Sequence, residues 1–134
     1  MKHVVYALVM LAFSQVALSD VTVLEGSEAR SKMKTVGEQA VILMQKKKTF
    51  YLKTADTTKP KRKPKEVYIK RGDYLFITND EKKVVHNIYD ESDDSWVLTK
   101  QDPGEVAAIS FEKKGLHVLR CAIHPTMKTT VVVE

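Results

Sequence analysis

The chain has 134 residues, a net charge of +5 and 43% hydrophobic residues, which is the size and composition of one globular domain. Its single cysteine excludes an intramolecular disulfide, and its five glycines stand singly, which excludes a glycine-rich phosphate-binding loop. After the first nineteen residues no apolar run is long enough to span a bilayer, so we expect no stable membrane insertion.

The first nineteen residues have the pattern of a secretory signal peptide. Lys2 supplies a positive start, residues 4–13 are apolar, and Ala17 and Ser19 place small side chains before a cleavage site at Asp20. The apolar run is too short for a membrane span, so an uncleaved anchor is the less favoured alternative. Cleavage leaves a domain of residues 20–134 with a charge of +4, because Lys2 is the one ionised residue removed. We therefore expect an exported, periplasmic protein.

Short β-type runs separated by turn residues make up most of the chain after residue 20. The apolar or β-branched runs are residues 21–24, 41–44, 49–52, 67–69, 74–78, 84–89, 96–98, 106–111, 116–121 and 129–133. Gly72-Asp73 and Pro103-Gly104 are typical turn residues between them. Residues 25–35 have the composition of a turn or two of helix. Strands at this spacing predict a single all-β sandwich domain.

A basic stretch interrupts the pattern in the first half of the chain. Residues 54–65 contain Pro60 and Pro64 and no apolar period, which predicts an exposed loop. The run from Lys59 to Lys65 is read first as a solvated loop and second as a docking patch for an acidic partner. It lacks interleaved aromatic residues for base stacking, so we expect no nucleic-acid partner.

Cys121, His124 and Met127 follow one another at intervals of three residues. A thiolate, an imidazole and a thioether form a soft, mixed ligand set that favours copper, and a Cys-His₂ site with a weak axial Met is the blue-copper electron-transfer centre. His86, within the β-type run 84–89, offers the second histidine. A structural zinc site usually has more Cys and His and no Met. A Cys-His hydrolase needs a third group that orients the base. We therefore predict one copper ion per chain and no enzymatic activity.

These residues belong to a longer series of motifs that resembles the cupredoxins, the plastocyanin, pseudoazurin and amicyanin group. In chain order the matching motifs are Val67-Tyr68-Ile69-Lys70-Arg71-Gly72-Asp73, Val85-His86-Asn87-Ile88, Asp102-Pro103-Gly104-Glu105, Lys114-Gly115-Leu116-His117 and Cys121-Ala122-Ile123-His124-Pro125-Thr126-Met127. The series covers residues 66–134, about half of the chain. The short spacing between His124 and Met127 is similar to the amicyanin loop. The resemblance implies a cupredoxin-like Greek-key β-sandwich.

The resemblance also implies the role of each site residue. His86, Cys121 and His124 correspond to the equatorial copper ligands, and Met127 corresponds to the axial ligand. Asn87 matches the residue that ties the strand of the first histidine to the cysteine loop and orients the ligands without binding the metal. The implied protein is a monomeric type 1 copper protein that shuttles electrons, as Cu(I) and Cu(II), between redox partners such as a cytochrome or a dehydrogenase with an acidic surface. The alternative is a periplasmic copper-delivery protein without an electron-transfer role.

Two residues depart from the family pattern. His117 and Arg120 stand where the family commonly has tyrosines. His117 shares a strand face with Cys121, and we read it as a partly buried structural histidine and not as a ligand. Because Arg120 is not aromatic, an electron path through an aromatic side chain at this position is not expected. The region before residue 66 is longer than the compact family core, and its basic loop is read as an insertion.

Overall fold

The computed structural model describes residues 20–134, so the signal-peptide prediction lies outside the described part of the chain. The described chain contains one α-helix, α1, at Gly26–Val36, followed by a short 3-10 turn. Its strands are β1 Val21–Glu25, β2 Val41–Lys46, β3 Thr49–Lys53, β4 Lys61–Arg62, β5 Glu66–Ile69, β6 Tyr74–Asn79, β7 His86–Asp90, β8 Val97–Gln101, β9 Val106–Phe111, β10 Gly115–Cys121 and β11 Lys128–Val133. Between residues 20 and 134, no helix has the length and apolar character needed to cross a membrane.

The strands form two sheets that pack face to face. One sheet has the order β1-β9-β6-β2-β3-β4, and the other has the order β5-β11-β10-β7-β8. Neighbouring strands are antiparallel except in the pairs β2–β6 and β5–β11. The chain passes from the first sheet to the second at β5 and returns at β6. It passes to the second sheet again at β7, returns at β9 and passes back at β10. This is the expected all-β sandwich with Greek-key-type connections between its sheets.

Apolar side chains from both sheets fill the space between them. Leu75 and Ile77 of β6 and Ile109 of β9 come from one sheet, and Ile88 and Leu119 come from the other; all are fully buried. Burial of one large aliphatic side chain stabilises the fold by about 1.5–3 kcal/mol. The hydrophobic alternation that is visible in the sequence therefore sets which faces of the strands turn inward.

Helix α1 covers the outer face of the first sheet. Its buried Ala29 packs in a second apolar cluster with Phe76 of β6 and Ala108 of β9. With an apolar layer on each side, all six residues of β9 are buried. Glu28 in the first turn and Lys34 in the last turn complement the helix dipole.

The elements depart from the sequence expectations at several boundaries. The helix is longer than the turn or two that the composition predicts, because Ala29 is anchored on the sheet. The run at 84–89 becomes a strand only from His86, since the carbonyl of Val84 accepts a hydrogen bond from the Asn79 side chain and belongs to the preceding loop. The expected basic loop contains the two-residue strand β4, which pairs with β3.

Candidate metal centre

The predicted copper ligands His86, Cys121 and His124 come together at one end of the sandwich. His86 is the first residue of β7 and Cys121 is the last residue of β10. The two strands are antiparallel neighbours, with Cys121 opposite Ile88, so these ends lie side by side. His124 lies on the connection from β10 to β11 and approaches the same point from the loop.

The ligand atoms of these three residues converge. Cys121 Sγ lies 3.6 Å from Nδ1 of His86 and 3.5 Å from Nδ1 of His124. The candidate ligand atoms of the three side chains all lie within 4.8 Å of one another. The two imidazole rings are tilted by 59°, with centroids 5.0 Å apart. Each ring presents a nitrogen toward the sulfur.

These separations match those of ligands around a common metal ion. With bonds of about 2.3 Å to a thiolate and about 2.0 Å to an imidazole, and angles of roughly 110–120°, sulfur and nitrogen lie about 3.5–3.7 Å apart. The donor set of one thiolate and two imidazoles is also the set that copper electron-transfer sites use. The side chains therefore fit a small metal ion between them.

Burial excludes water from His86 and Cys121 and favours the neutral form of the His86 imidazole. His86 is 0% exposed and Cys121 is 1% exposed, whereas His124 is half-buried. Desolvation, reinforced by the proximity of His124, lowers the pKa of His86 below its ordinary value, and the Glu81 carboxylate opposes this shift only in part. Neutral imidazole is the form that binds a metal.

Met127 lies at the end of the loop that carries His124. It is 2% exposed and packs in the central apolar cluster that includes Cys121. The loop closes on itself, because the Met127 N–H donates to the His124 carbonyl at 2.9 Å and the Cys121 N–H donates to the Met127 carbonyl at 3.4 Å. Arg120 adds a hydrogen bond to the Pro125 carbonyl at 3.5 Å. The loop therefore holds Met127 in the apolar cluster that contains Cys121. The role of Met127 as a copper ligand stays a prediction.

Asn87 links the strand of His86 to its neighbours on both sides. Its backbone carbonyl accepts a hydrogen bond from Ala122 N–H, in the cysteine loop, at 2.9 Å. Its side-chain Nδ2 donates instead to the Thr99 carbonyl on β8, at 2.8 Å. The contact with the cysteine loop is thus made by the main chain, and the side chain anchors β7 to β8. Whether Asn87 tunes the metal stays a prediction.

Sequence reasoning missed a carboxylate next to His86. The Oε1 atom of Glu81 lies 3.5 Å from Nε2 of His86, an ion-pair distance that leaves this buried nitrogen without a hydrogen bond. The same oxygen accepts the Lys48 N–H at 2.5 Å. Glu81 lies in a polar loop before the β-type run, and nothing in that pattern marked it.

A buried polar network below the loop of Glu81 was also missed. Asn79 donates from its Nδ2 to the carbonyls of Val84 and Gln101, at 2.9 and 2.8 Å, and its Oδ1 accepts the Glu81 N–H at 3.0 Å. The side chain of Gln101 accepts a hydrogen bond from Gln45 at 2.5 Å. Since Gln101 is also paired with His86 in the sheet, this network joins both sheets behind the site. The sequence carries no clear signal for this network, because Gln45 is followed directly by Lys46, Lys47 and Lys48 and reads as the start of a polar turn.

His117 lies apart from this centre, in a second polar cluster. Its Nδ1 is 2.6 Å from Oδ2 of the buried Asp90, and its ring packs against Phe111 with centroids 4.4 Å apart. Asp90 also accepts hydrogen bonds from Trp96 Nε1 at 3.0 Å and from the Ser92 N–H at 2.8 Å. This is the partly buried, structural environment that the sequence predicts for His117. Arg120, the other departure, forms an ion pair with Glu91.

No protein-family model matches this chain, and no curated protein sequence matches it. Solved structures do match it. The crystal structure of amicyanin from Paracoccus versutus (Thiobacillus versutus) covers 87% of this chain and 100% of its own, with a TM-score of 0.60 and 22% identity. A Cu(I) amicyanin variant with a Met-to-Ala substitution gives the same coverage, with a TM-score of 0.61 and 18% identity. The chain therefore has the amicyanin-like cupredoxin fold, which confirms the resemblance at the level of the fold.

Proposed function

We propose that this amicyanin-like protein is an exported type 1 copper protein that shuttles single electrons between redox partners. The observation that carries the proposal is the position of Cys121 Sγ, 3.6 Å from His86 Nδ1 and 3.5 Å from His124 Nδ1. A thiolate and two neutral imidazoles in a largely buried cluster suit copper in both of its oxidation states. Nothing else in the described chain offers a comparable set of soft donors.

In this proposal His86, Cys121 and His124 would hold one copper ion, and Met127 would supply a weak thioether donor. The bound copper supplies a one-electron Cu(I)/Cu(II) couple. The protein supplies a site that changes little between the two states. His86 and Cys121 are fixed by paired strands, and hydrogen bonds within the loop fix His124 relative to Met127. Such rigidity keeps the reorganisation that accompanies electron transfer small.

The exposed edge of His124 is the proposed entry and exit point for the electron. His124 is half-buried, whereas its loop neighbours Ala122, Ile123 and Pro125 are exposed. Ile123, directly beside His124, is 56% exposed. The loop therefore offers a small apolar surface around the one ligand that reaches solvent, which suits brief contact with another redox protein.

The remaining assignments follow from this function. The protein acts as a monomeric carrier and not as an enzyme. Its partners are redox proteins, such as a cytochrome or a dehydrogenase, that carry an acidic surface. The periplasm is the proposed location, on the strength of the signal-peptide pattern in residues 1–19. The basic run from Lys59 to Lys65 supports the proposal that the partner surface is acidic, because attraction between opposite charges speeds association.

The test is visible absorption of the purified protein after it is loaded with Cu(II). We expect an intense blue thiolate-to-copper charge-transfer band with one copper per chain, and reversible bleaching on reduction. Cys121→Ser keeps the size of the side chain, removes the thiolate and should abolish the band. Thr126→Ser, in the same loop, is the matched control and should leave the band unchanged.

Other outcomes would contradict the proposal. A protein that holds copper without the blue band and passes it to a chelator faster than it exchanges electrons would be a copper-delivery protein. A protein that retains no copper at stoichiometric loading would exclude both functions.

A further inference from the structure

A groove lined by lysines opens directly beside the loop of Met127. Its volume is about 300 Å³, and Phe50 and Met127, both buried, form its floor. Four exposed lysines line it, namely Lys48, Lys63, Lys65 and Lys128. They come from three separate parts of the chain: the turn between β2 and β3, the segment between β4 and β5, and the start of β11. We call this feature the lysine groove.

The backbone places lysines at positions that ordinarily favour other residues. Lys47 and Lys48 form the two-residue turn between β2 and β3, with φ angles of 53° and 54°, and Lys63 has a φ of 51°. Among the described residues these are the non-glycine residues with positive φ. Asn and Gly adopt this conformation at lower cost, and Asn-Gly is the preferred pair for such a hairpin. Backbone strain of this kind concentrates at functional sites.

The charges of the lysine groove are not neutralised within the described chain. None of its four ammonium groups forms an ion pair there. Two carboxylates on neighbouring segments form hydrogen bonds to other groups: Glu81 accepts the Lys48 backbone N–H, and Glu66 accepts the hydroxyl of Tyr68. Four unpaired positive charges around one concave surface attract an anionic surface and raise its rate of association.

The lysine groove also lies next to the candidate metal centre. Met127 contributes both to its floor and to the metal loop. On its other side, the Lys48 N–H is bonded to the Glu81 carboxylate, which lies 3.5 Å from Nε2 of His86. A partner surface bound in the lysine groove would therefore lie beside the loop through which the electron is proposed to leave.

We infer that the lysine groove is the docking surface for an acidic patch of the redox partner protein. This inference rests on the proposed function and narrows it, because it replaces the run from Lys59 to Lys65 with a surface built from three segments. Carboxylates of the partner would face Lys48, Lys63, Lys65 and Lys128, and this contact would bring the partner's redox group close to the Met127 loop.

The first test is a titration of the ¹⁵N-labelled Cu(I) protein with an octaglutamate peptide, followed by NMR. We expect shifts concentrated at Lys48, Lys63, Lys65 and Lys128. The variant K63E/K65E should weaken binding about tenfold, since reversal of docking charges changes association strongly. The control K70E/K114E changes the net charge by the same amount and should change binding less than about twofold. Lys114 is separated from Cys121 by the length of β10, about 20 Å.

The second test separates docking from folding. The variant K47N/K48G places the preferred Asn-Gly pair in the hairpin and keeps the backbone N–H that bonds Glu81. We expect a higher melting temperature together with weaker binding of octaglutamate. Binding that stays unchanged in this variant and in K63E/K65E, or that falls equally in K70E/K114E, would overturn the docking surface.

A phosphate titration distinguishes small-anion binding from protein docking, and reduction of hexacyanoferrate(III) distinguishes failure of the proposed function from failure of the docking inference. If inorganic phosphate causes the same shifts at the same concentration as the peptide, the groove is a small-anion site and the protein-docking inference is wrong. If the Cu(II) protein lacks the blue band and its Cu(I) form does not reduce hexacyanoferrate(III), the proposed function fails whatever the peptide result. A protein whose Cu(II) form is blue, whose Cu(I) form reduces hexacyanoferrate(III) at the same rate as the Cu(I) form of K63E/K65E, and which binds no peptide contradicts the docking inference alone.

Discussion

The Nε2 atom of His86 lies 3.5 Å from Oε1 of Glu81, and the same oxygen accepts the Lys48 N–H at 2.5 Å. The hairpin turn thus orients a carboxylate toward the outer nitrogen of a buried histidine. An acceptor on that side favours the tautomer with its proton on Nε2, which leaves the Nδ1 lone pair directed at Cys121. We therefore predict that Glu81 positions His86, although the two atoms are not hydrogen-bonded at this distance.

The first prediction concerns this carboxylate. We expect Glu81→Ala to lower the affinity for copper by about 10–100-fold, because the orientation and basicity of a ligating histidine depend on such a partner. Glu81→Gln keeps an acceptor and should lose less. The affinity is measured by competition with a copper chelator, and Glu38→Ala, an exposed carboxylate in the 3-10 turn, is the control. Equal affinities in all three variants would show that Glu81 does not position His86.

The second prediction concerns the exposed ligand. His124→Gly removes an imidazole from the half-buried edge of the site and leaves room for a small molecule. The variant should lose the blue band and recover it when free imidazole is added, because the remaining donors stay in place. Visible absorption and the rate of electron exchange are both measured, with Thr126→Ser as the control in the same loop. A variant that keeps its colour and rate without imidazole would exclude His124 as a ligand.

The third prediction concerns pH. Burial and the neighbouring His124 lower the pKa of His86 in the folded protein, so in copper-free protein the unfolded chain takes up a proton at a higher pH than the folded chain does. The unfolded state then binds more protons below about pH 6.5, and the free energy of unfolding falls as the pH falls through this region. Denaturant unfolding at several pH values measures the slope. His86→Gln should flatten it, and an unchanged slope would contradict the assigned cause.

The fourth prediction concerns His117 and Asp90. His117→Ala leaves the buried Asp90 carboxylate with donors from Trp96 and Ser92 but without its 2.6 Å partner. The loss of a hydrogen bond to a buried charged group should lower the free energy of unfolding by about 1.5–3 kcal/mol. The blue band should persist, since His117 lies outside the metal cluster. Lys114→Ala, at an exposed position, should change stability by less than about 0.5 kcal/mol. Loss of the band with unchanged stability would make His117 part of the site.

Much of the fold, and the part of the site on the loop after β10, could be predicted from the sequence. Cys121, His124 and Met127 fall within seven residues, so their proximity is local and does not depend on which strands pair. The strands β6, β9, β10 and β11 coincide with hydrophobic runs, because inward-facing positions must be apolar whatever the topology. His86 was predicted because the site needs a second histidine and the β-type run 84–89 offers one, and the resemblance to cupredoxins implies the same residue. Its distance along the chain from Cys121 gives no indication of contact.

Other features were decided by the tertiary structure alone. The basic run from Lys59 to Lys65 suggested a docking patch, but only two of its residues line the lysine groove, and they meet Lys48 and Lys128 there. Glu81 and the Gln45–Gln101 bond likewise depend on contacts between distant segments. Short-range patterns in a sequence encode burial and turns. Electrostatic surfaces and the groups that position a ligand depend on strand pairing across long separations, such as the parallel pair β2–β6, and those pairings are set by the packing of the whole sandwich.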